Sequence, residues 1–108
     1  MSGAVADLTA DTFDQTIAQD APVLVDFWSE FCSPCVAVGQ AVTELAEQFA
    51  GRVVMTKVDV VAQPELAARF NVGSVPTLLV FKGGSPVGRL AGARPKTHIV
   101  RLIESHLD

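Results

Sequence analysis

The apolar positions of this chain fall into two rhythms, one continuous and one periodic. Val23-Leu24-Val25-Asp26-Phe27-Trp28 is almost unbroken, as expected of a strand covered on both faces. Val53 to Val60 and Thr77 to Phe81 repeat that pattern. Gly83-Gly84 supplies a tight turn into Val87 to Ala91, so the last two strands should form an antiparallel hairpin. A weak first strand lies around Val5 to Leu8.

Helical spacing separates these runs. Phe13 and Ile17 stand four apart, after Thr12 with Gln15 three further on, the pattern of a capping box. From Pro34 onward Val38, Val42, Leu45, Ala46 and Phe49 make one apolar stripe, with Gly51 as its stop. Pro64 opens a short helix through Phe70. Pro95 opens another, with Ile99, Leu102, Ile103 and Leu107 on one face. The order is β-α-β-α-β-α-β-β-α. Right-handed crossovers then place helices on both faces of a mixed sheet, a three-layer α/β fold.

Composition narrows the class. At 108 residues the chain fits one domain over residues 1–108, and 49% hydrophobic content excludes a disordered chain. No apolar run approaches the ~20 residues needed to cross a bilayer. Met1 to Asp7 lacks the basic start and apolar stretch of a secretory signal, so a soluble, cytoplasmic protein is expected. The net charge of −4 argues against a nucleic-acid surface. Its distribution is lopsided: residues 1–50 hold eight acids and no Lys or Arg, whereas residues 51–108 hold eight bases and four acids. Solvated faces account for this most simply; a field that orients a protein partner is the alternative.

The chemistry lies at Cys32 and Cys35, the two cysteines, with Ser33-Pro34 between them. A C-x-x-C in an alternating α/β chain reads first as a redox pair. Zinc would need four ligands, and His98 and His106, eight apart on the last helix, are the only other soft candidates, so no metal is expected. The order strand, loop, Cys-Ser-Pro-Cys, helix places Cys32 at a helix mouth, where Pro34 is tolerated. Unpaired N–H groups and the helix dipole there favour a thiolate. A helix terminus contributes ~0.3–1 kcal/mol, up to ~2 when partly buried, and one pKa unit needs about 1.36, so the dipole alone would lower the Cys32 pKa by roughly one unit at most. An S–H donor from Cys35, one turn along, adds to it. Cys32 would therefore attack a partner's disulfide and Cys35 would resolve the mixed disulfide. Asp26, the only charge in its strand, is the candidate acceptor for the Cys35 proton, with its pKa raised by burial.

These residues resemble the thioredoxin family along nearly the whole chain. Val25 to Cys35 is similar to its active-site stretch and Val75-Pro76-Thr77 to its cis-proline loop, while Lys57, Gly84 and Gly92 stand at matching positions. The resemblance implies a protein-disulfide reductase, without a bound cofactor, recharged by a thioredoxin reductase and acting as a monomer on disulfide-containing clients. It implies Cys32 as nucleophile, Cys35 as resolving thiol, the two as the redox disulfide, and Asp26 as buried base with Lys57 as its partner. Trp28 would pack under the active-site loop and Pro76 would be cis. The client groove would comprise Phe31, Ser33, Pro34, Ser74, Val75, Gly92 and Ala93, with the Val75 backbone pairing to an extended peptide.

Several positions depart from the family pattern. Phe31 replaces a tryptophan and loses an indole donor. Ser33 replaces a glycine, and its hydroxyl could donate to the Cys32 thiolate, making the couple less reducing. Val36 replaces a common lysine or arginine, and Gln40 a helix-kinking proline, which predicts a straighter helix. Ser74 also replaces a glycine, so client choice is affected more than chemistry. The rival class is a binding module of the same fold in which the cysteines are incidental; trapping of clients by Cys35→Ser, and loss of activity in Cys32→Ser, separate the two.

Overall fold

The unbroken run at residues 23–28 lies at the centre of a five-stranded sheet because helices cover both of its faces. The computed structural model describes residues 4–107; Met1 to Gly3, part of the segment read for a signal, lie outside the described residues. Its elements are β1 (Ala6–Asp7), α1 (Phe13–Ile17), β2 (Val23–Trp28), α2 (Ser33–Gln48), β3 (Val54–Asp59), α3 (Pro64–Arg69), β4 (Thr77–Lys82), β5 (Ser85–Ala91) and α4 (Lys96–Glu104). This is the expected order. The sheet runs β1-β3-β2-β4-β5, with β1, β3 and β2 parallel and β4 and β5 antiparallel.

Side chains alternate across a strand, so β2 divides the core in two. Leu24 joins Val38, Val42, Leu45, Met55, Leu78, Ile99 and Ile103 beneath α2 and α4. Val23, Val25 and Phe27 join Phe13, Ile17, Val58, Leu66 and Phe81 beneath α1 and α3. Asp26 and Trp28 share the parity of Leu24 and therefore face α2.

Three local expectations change. The capping box is not formed: Thr12 has helical dihedrals and makes no side-chain cap. Its Oγ1 accepts instead from the Thr9 N–H at 3.0 Å, and the Thr9 carbonyl accepts from Phe13 N–H at 2.9 Å, so the first turn begins upstream. The last strand starts at Ser85 rather than Val87. Pro86 is accommodated because β5 is an edge strand, with a register shift beside it. Pro95 is the cap of α4, outside its first turn. The glycine turn holds: Gly83 and Gly84 both have positive φ, as a two-residue hairpin turn requires. α2 runs sixteen residues without interruption through Gln40, and Gly51 follows with φ +86°.

The charge asymmetry is partly absorbed within the fold. Ion pairs join Asp7 to Lys57, Asp14 to Arg69 and Glu44 to Lys96, each an acid of the first half with a base of the second. Among the described residues no helix is long and apolar enough to cross a membrane.

Candidate active site

β2 ends at Trp28, and the chain turns through Ser29 to Cys32 before α2 begins. Ser29 shapes this turn twice. Its Oγ accepts from the Phe31 N–H at 3.1 Å and its carbonyl from the Cys32 N–H at 3.2 Å. Cys32 is the N-cap of α2, in extended conformation, and Pro34 occupies the first turn. The Cys35 N–H donates to the Cys32 carbonyl at 3.1 Å. Cys32 and Cys35 are joined as a disulfide, with Cα atoms 5.4 Å apart. The two sulfurs differ in access: Cys32 is half-buried at the tip, whereas Cys35 is 5% exposed.

The cis peptide between Val75 and Pro76 lies opposite. The Val75 carbonyl oxygen is 3.6 Å from Cys32 Sγ, where a reduced thiol could donate to it. Thr77 Oγ1 donates to the Ser74 carbonyl at 2.8 Å, and the Gly92 N–H to the Pro76 carbonyl at 2.9 Å. Gly92 has φ +90°, a conformation that a Cβ disfavours. The loop before β4 and the end of β5 are thus fastened together beside the disulfide. Ladder pairing of β4 starts at Thr77, which leaves the Val75 backbone outside the sheet.

The rim is apolar. Phe31 is 80% exposed and Val36 63% exposed. Ser33, between the cysteines in sequence, is exposed. Pro34, Ser74, Gly92 and Ala93 are exposed as well.

Beneath the disulfide lies a cavity of about 200 Å³ lined by Asp26, Trp28, Cys32, Cys35 and Lys57, with apolar walls that include Val36 and Val42. Asp26 is 2% exposed, and its Oδ1 has no hydrogen-bond partner among the described residues. Burial pushes its carboxyl up to about 7, against a smaller lowering pull from Lys57. Lys57 is the register neighbour of Asp26 on β3. Its Nζ, however, is 3.8 Å from Asp7 Oδ1 and 5.4 Å from the centroid of the Trp28 ring. No ion pair within 4.0 Å joins Lys57 to Asp26 among the described residues. Trp28 is half-buried, and its Nε1 is also without a partner among the described residues.

The residues singled out from the sequence thus gather at one end of the sheet. Sequence reasoning missed two contributors, Ser29 and Asp7. A serine two residues before a loop N–H is a weak turn signal. Asp7 gave none, because its contact depends on how β1 and β3 pair.

Comparison with known proteins now bears on these residues. The family model described as Thioredoxin matches residues 4–105. Thioredoxin 1 of Nostoc sp. is 42% identical over 105 residues, covering 96% of this chain and 98% of that protein. Thioredoxin of Staphylococcus saprophyticus is 41% identical, covering 96% and 99%. Among solved structures, a mutant thioredoxin from Halobacterium salinarum superposes with a TM-score of 0.91 at 30% identity, covering 100% of this chain and 96% of that one.

Proposed function

The chain belongs to the thioredoxin family of disulfide oxidoreductases, and on that premise we propose how its residues divide the reaction. The Cys32 thiolate attacks one sulfur of a client disulfide. The client's other sulfur leaves as a thiolate and is protonated. Asp26 takes the Cys35 proton, across a cavity with room for water at ~30 Å³ per molecule. The Cys35 thiolate then attacks Cys32 Sγ, and the second client sulfur departs. Two electrons have passed to the client, and Cys32–Cys35 is left oxidised, as in this structure.

The observation that carries this reading is the unequal access of two bonded sulfurs at one helix mouth, half-buried Cys32 against 5% exposed Cys35. Clients would lie across Phe31, Ser33, Pro34, Ser74, Pro76, Gly92 and Ala93 over Trp28, with an extended segment pairing to the Val75 backbone, which lies outside the β4 ladder. Lys57 would tune Asp26. A thioredoxin reductase would restore the dithiol in the cytoplasm, with the protein acting as a monomer.

The test supplies NADPH and a thioredoxin reductase and follows insulin reduction by turbidity. The native chain should turn over, and Cys35→Ser should accumulate a mixed disulfide with insulin. Unchanged turnover in Cys32→Ser would overturn the reading.

A further inference from the structure

Asp7 on β1, Lys57 on β3 and Asp26 on β2 occupy one register row of the sheet: Asp7 pairs with Lys57, and Lys57 pairs with Asp26. Register partners on parallel strands point to the same face, so one cation stands between two carboxylates. The carboxylates differ greatly. Asp7 has a side chain 67% exposed, whereas Asp26 is 2% exposed with Oδ1 unpartnered. An ammonium that closed on Asp26 would satisfy a buried orphan, yet Lys57 Nζ lies 3.8 Å from Asp7 and over the Trp28 ring.

We propose that Asp7 is a positioning residue: its carboxylate draws the Lys57 ammonium toward the sheet edge and keeps it from closing on Asp26, so that Asp26 retains its proton affinity. Lys57 is 37% exposed and can remain hydrated in this position, a preference that the Asp7 charge reinforces. Other groups around the row do not hold Lys57 in this way. Asp59 follows it on the same face of β3, but its Oδ1 accepts from the Val61 and Ala62 N–H groups at 2.9 and 3.3 Å. Glu30 lines the cavity from the loop after β2. α2 contributes no charged side chain there, since Cys35 and the cap Cys32 are joined as the disulfide, and β4 places apolar Leu78 beside Asp26.

Removing the Asp7 charge has two consequences of the same sign. The direct repulsion between two carboxylates is lost, but the Asp7 side chain is 67% exposed and the two are two strand spacings apart, about 9–10 Å; at a water-like dielectric of about 80 this repulsion moves the Asp26 midpoint by only about 0.3 pH unit, and salt screens it further, so this is the smaller effect. The larger is release of Lys57. At an effective dielectric of about 20, bringing an ammonium from ~6 to ~4 Å of a carboxylate lowers its midpoint by about one pH unit. Both make Asp26 a weaker base. The kinetic consequence rests on the reading of Asp26 as proton acceptor for Cys35; the electrostatic one does not.

The experiment follows the Asp26 carboxyl carbon by NMR across pH in the full chain, alongside the pH profile of client-thiol release from the mixed disulfide. Asp7→Asn should lower the Asp26 midpoint by about half to one pH unit and move the profile by the same amount. Asp7→Glu should restore both. In a Lys57→Met background the shift caused by Asp7→Asn should shrink to less than half. An unmoved Asp26 midpoint in Asp7→Asn overturns the proposal, and so does an equal shift in both backgrounds, since Asp7 would then act by its own charge. A midpoint that falls while the kinetic profile stays fixed supports the positioning role and overturns Asp26 as the base.

Discussion

Replacing Asp26 by Asn should make the protein more stable, and by an amount that depends on pH. The carboxyl titrates near 7 in the fold against an ordinary value of 3.8, because burial disfavours its charged form. The difference, about three pH units at 1.36 kcal/mol each, makes an ionised Asp26 cost about 4 kcal/mol of folding stability. Well below pH 3.8 the group is protonated in both states and the cost vanishes; at pH 4 about 0.5 kcal/mol of it is present. Between pH 4 and 7 the unfolded chain releases a proton that the fold retains, so stability falls as pH rises. Above pH 7 the whole penalty is present. An amide fills the same space and does not titrate. Urea unfolding of the oxidised native and Asp26→Asn chains at pH 4, 5.5, 7 and 8.5 gives the difference directly, with pH effects common to both chains cancelling. The expected gain for Asn is about 0.5 kcal/mol at pH 4 and rises to about 4 kcal/mol at pH 8.5. A difference that is the same at both ends of that range would refute the desolvated carboxyl.

Two other substitutions probe the rim. Phe31→Ala should leave stability within about 0.5 kcal/mol, since the ring is 80% exposed, yet lower kcat/KM for insulin about tenfold while sparing a small aromatic disulfide; equal losses on both would place Phe31 in the chemistry instead. Ser33→Gly removes a hydroxyl that can donate to the Cys32 thiolate from the first turn of α2, and should make the couple more reducing in equilibrium with glutathione. No shift, or one in the other direction, would sink that role.

The sheet was legible because burial on both faces leaves a plain mark. Val23 to Trp28 reads as a covered strand and is one, with Asp26 conspicuous as its only charge. Element ends were less legible where tertiary placement decides them. The last strand, read from Val87, begins at Ser85 and takes in Pro86, because β5 lies at an edge of the sheet, where a proline is tolerated. Thr12 and Gln15 had the spacing of a cap, but Thr12 turned its hydroxyl back to Thr9. Within the site, the helix-mouth position of Cys32 follows from local order. Its approach to Val75, forty-three residues away, came from family resemblance and not from any local pattern. Asp7 lay beyond both. A two-residue strand carries too little periodicity to fix a register, and only the register puts Asp7 beside Lys57.

The two cysteines pose opposite problems, and the fold treats them separately. Cys32 sits where unpaired N–H groups favour a negative charge. Cys35, 5% exposed, sits where burial disfavours one, so on the proposed division of roles it would need an acceptor in its own cavity. An ordinary carboxylate would serve poorly: proton transfer from a thiol of pKa ~8.5 to a group at 3.8 is uphill by about 6 kcal/mol. With Asp26 at about 7 the same transfer is uphill by about 2 kcal/mol. The gain, about 4 kcal/mol, equals the stability that an ionised Asp26 takes from the fold, because both measure one desolvated charge. A lysine closed upon Asp26 would recover the stability and forfeit the basicity. Lys57 drawn toward Asp7 instead leaves Asp26 strained toward protonation in the cavity where, on the proposed mechanism, Cys35 would lose its proton.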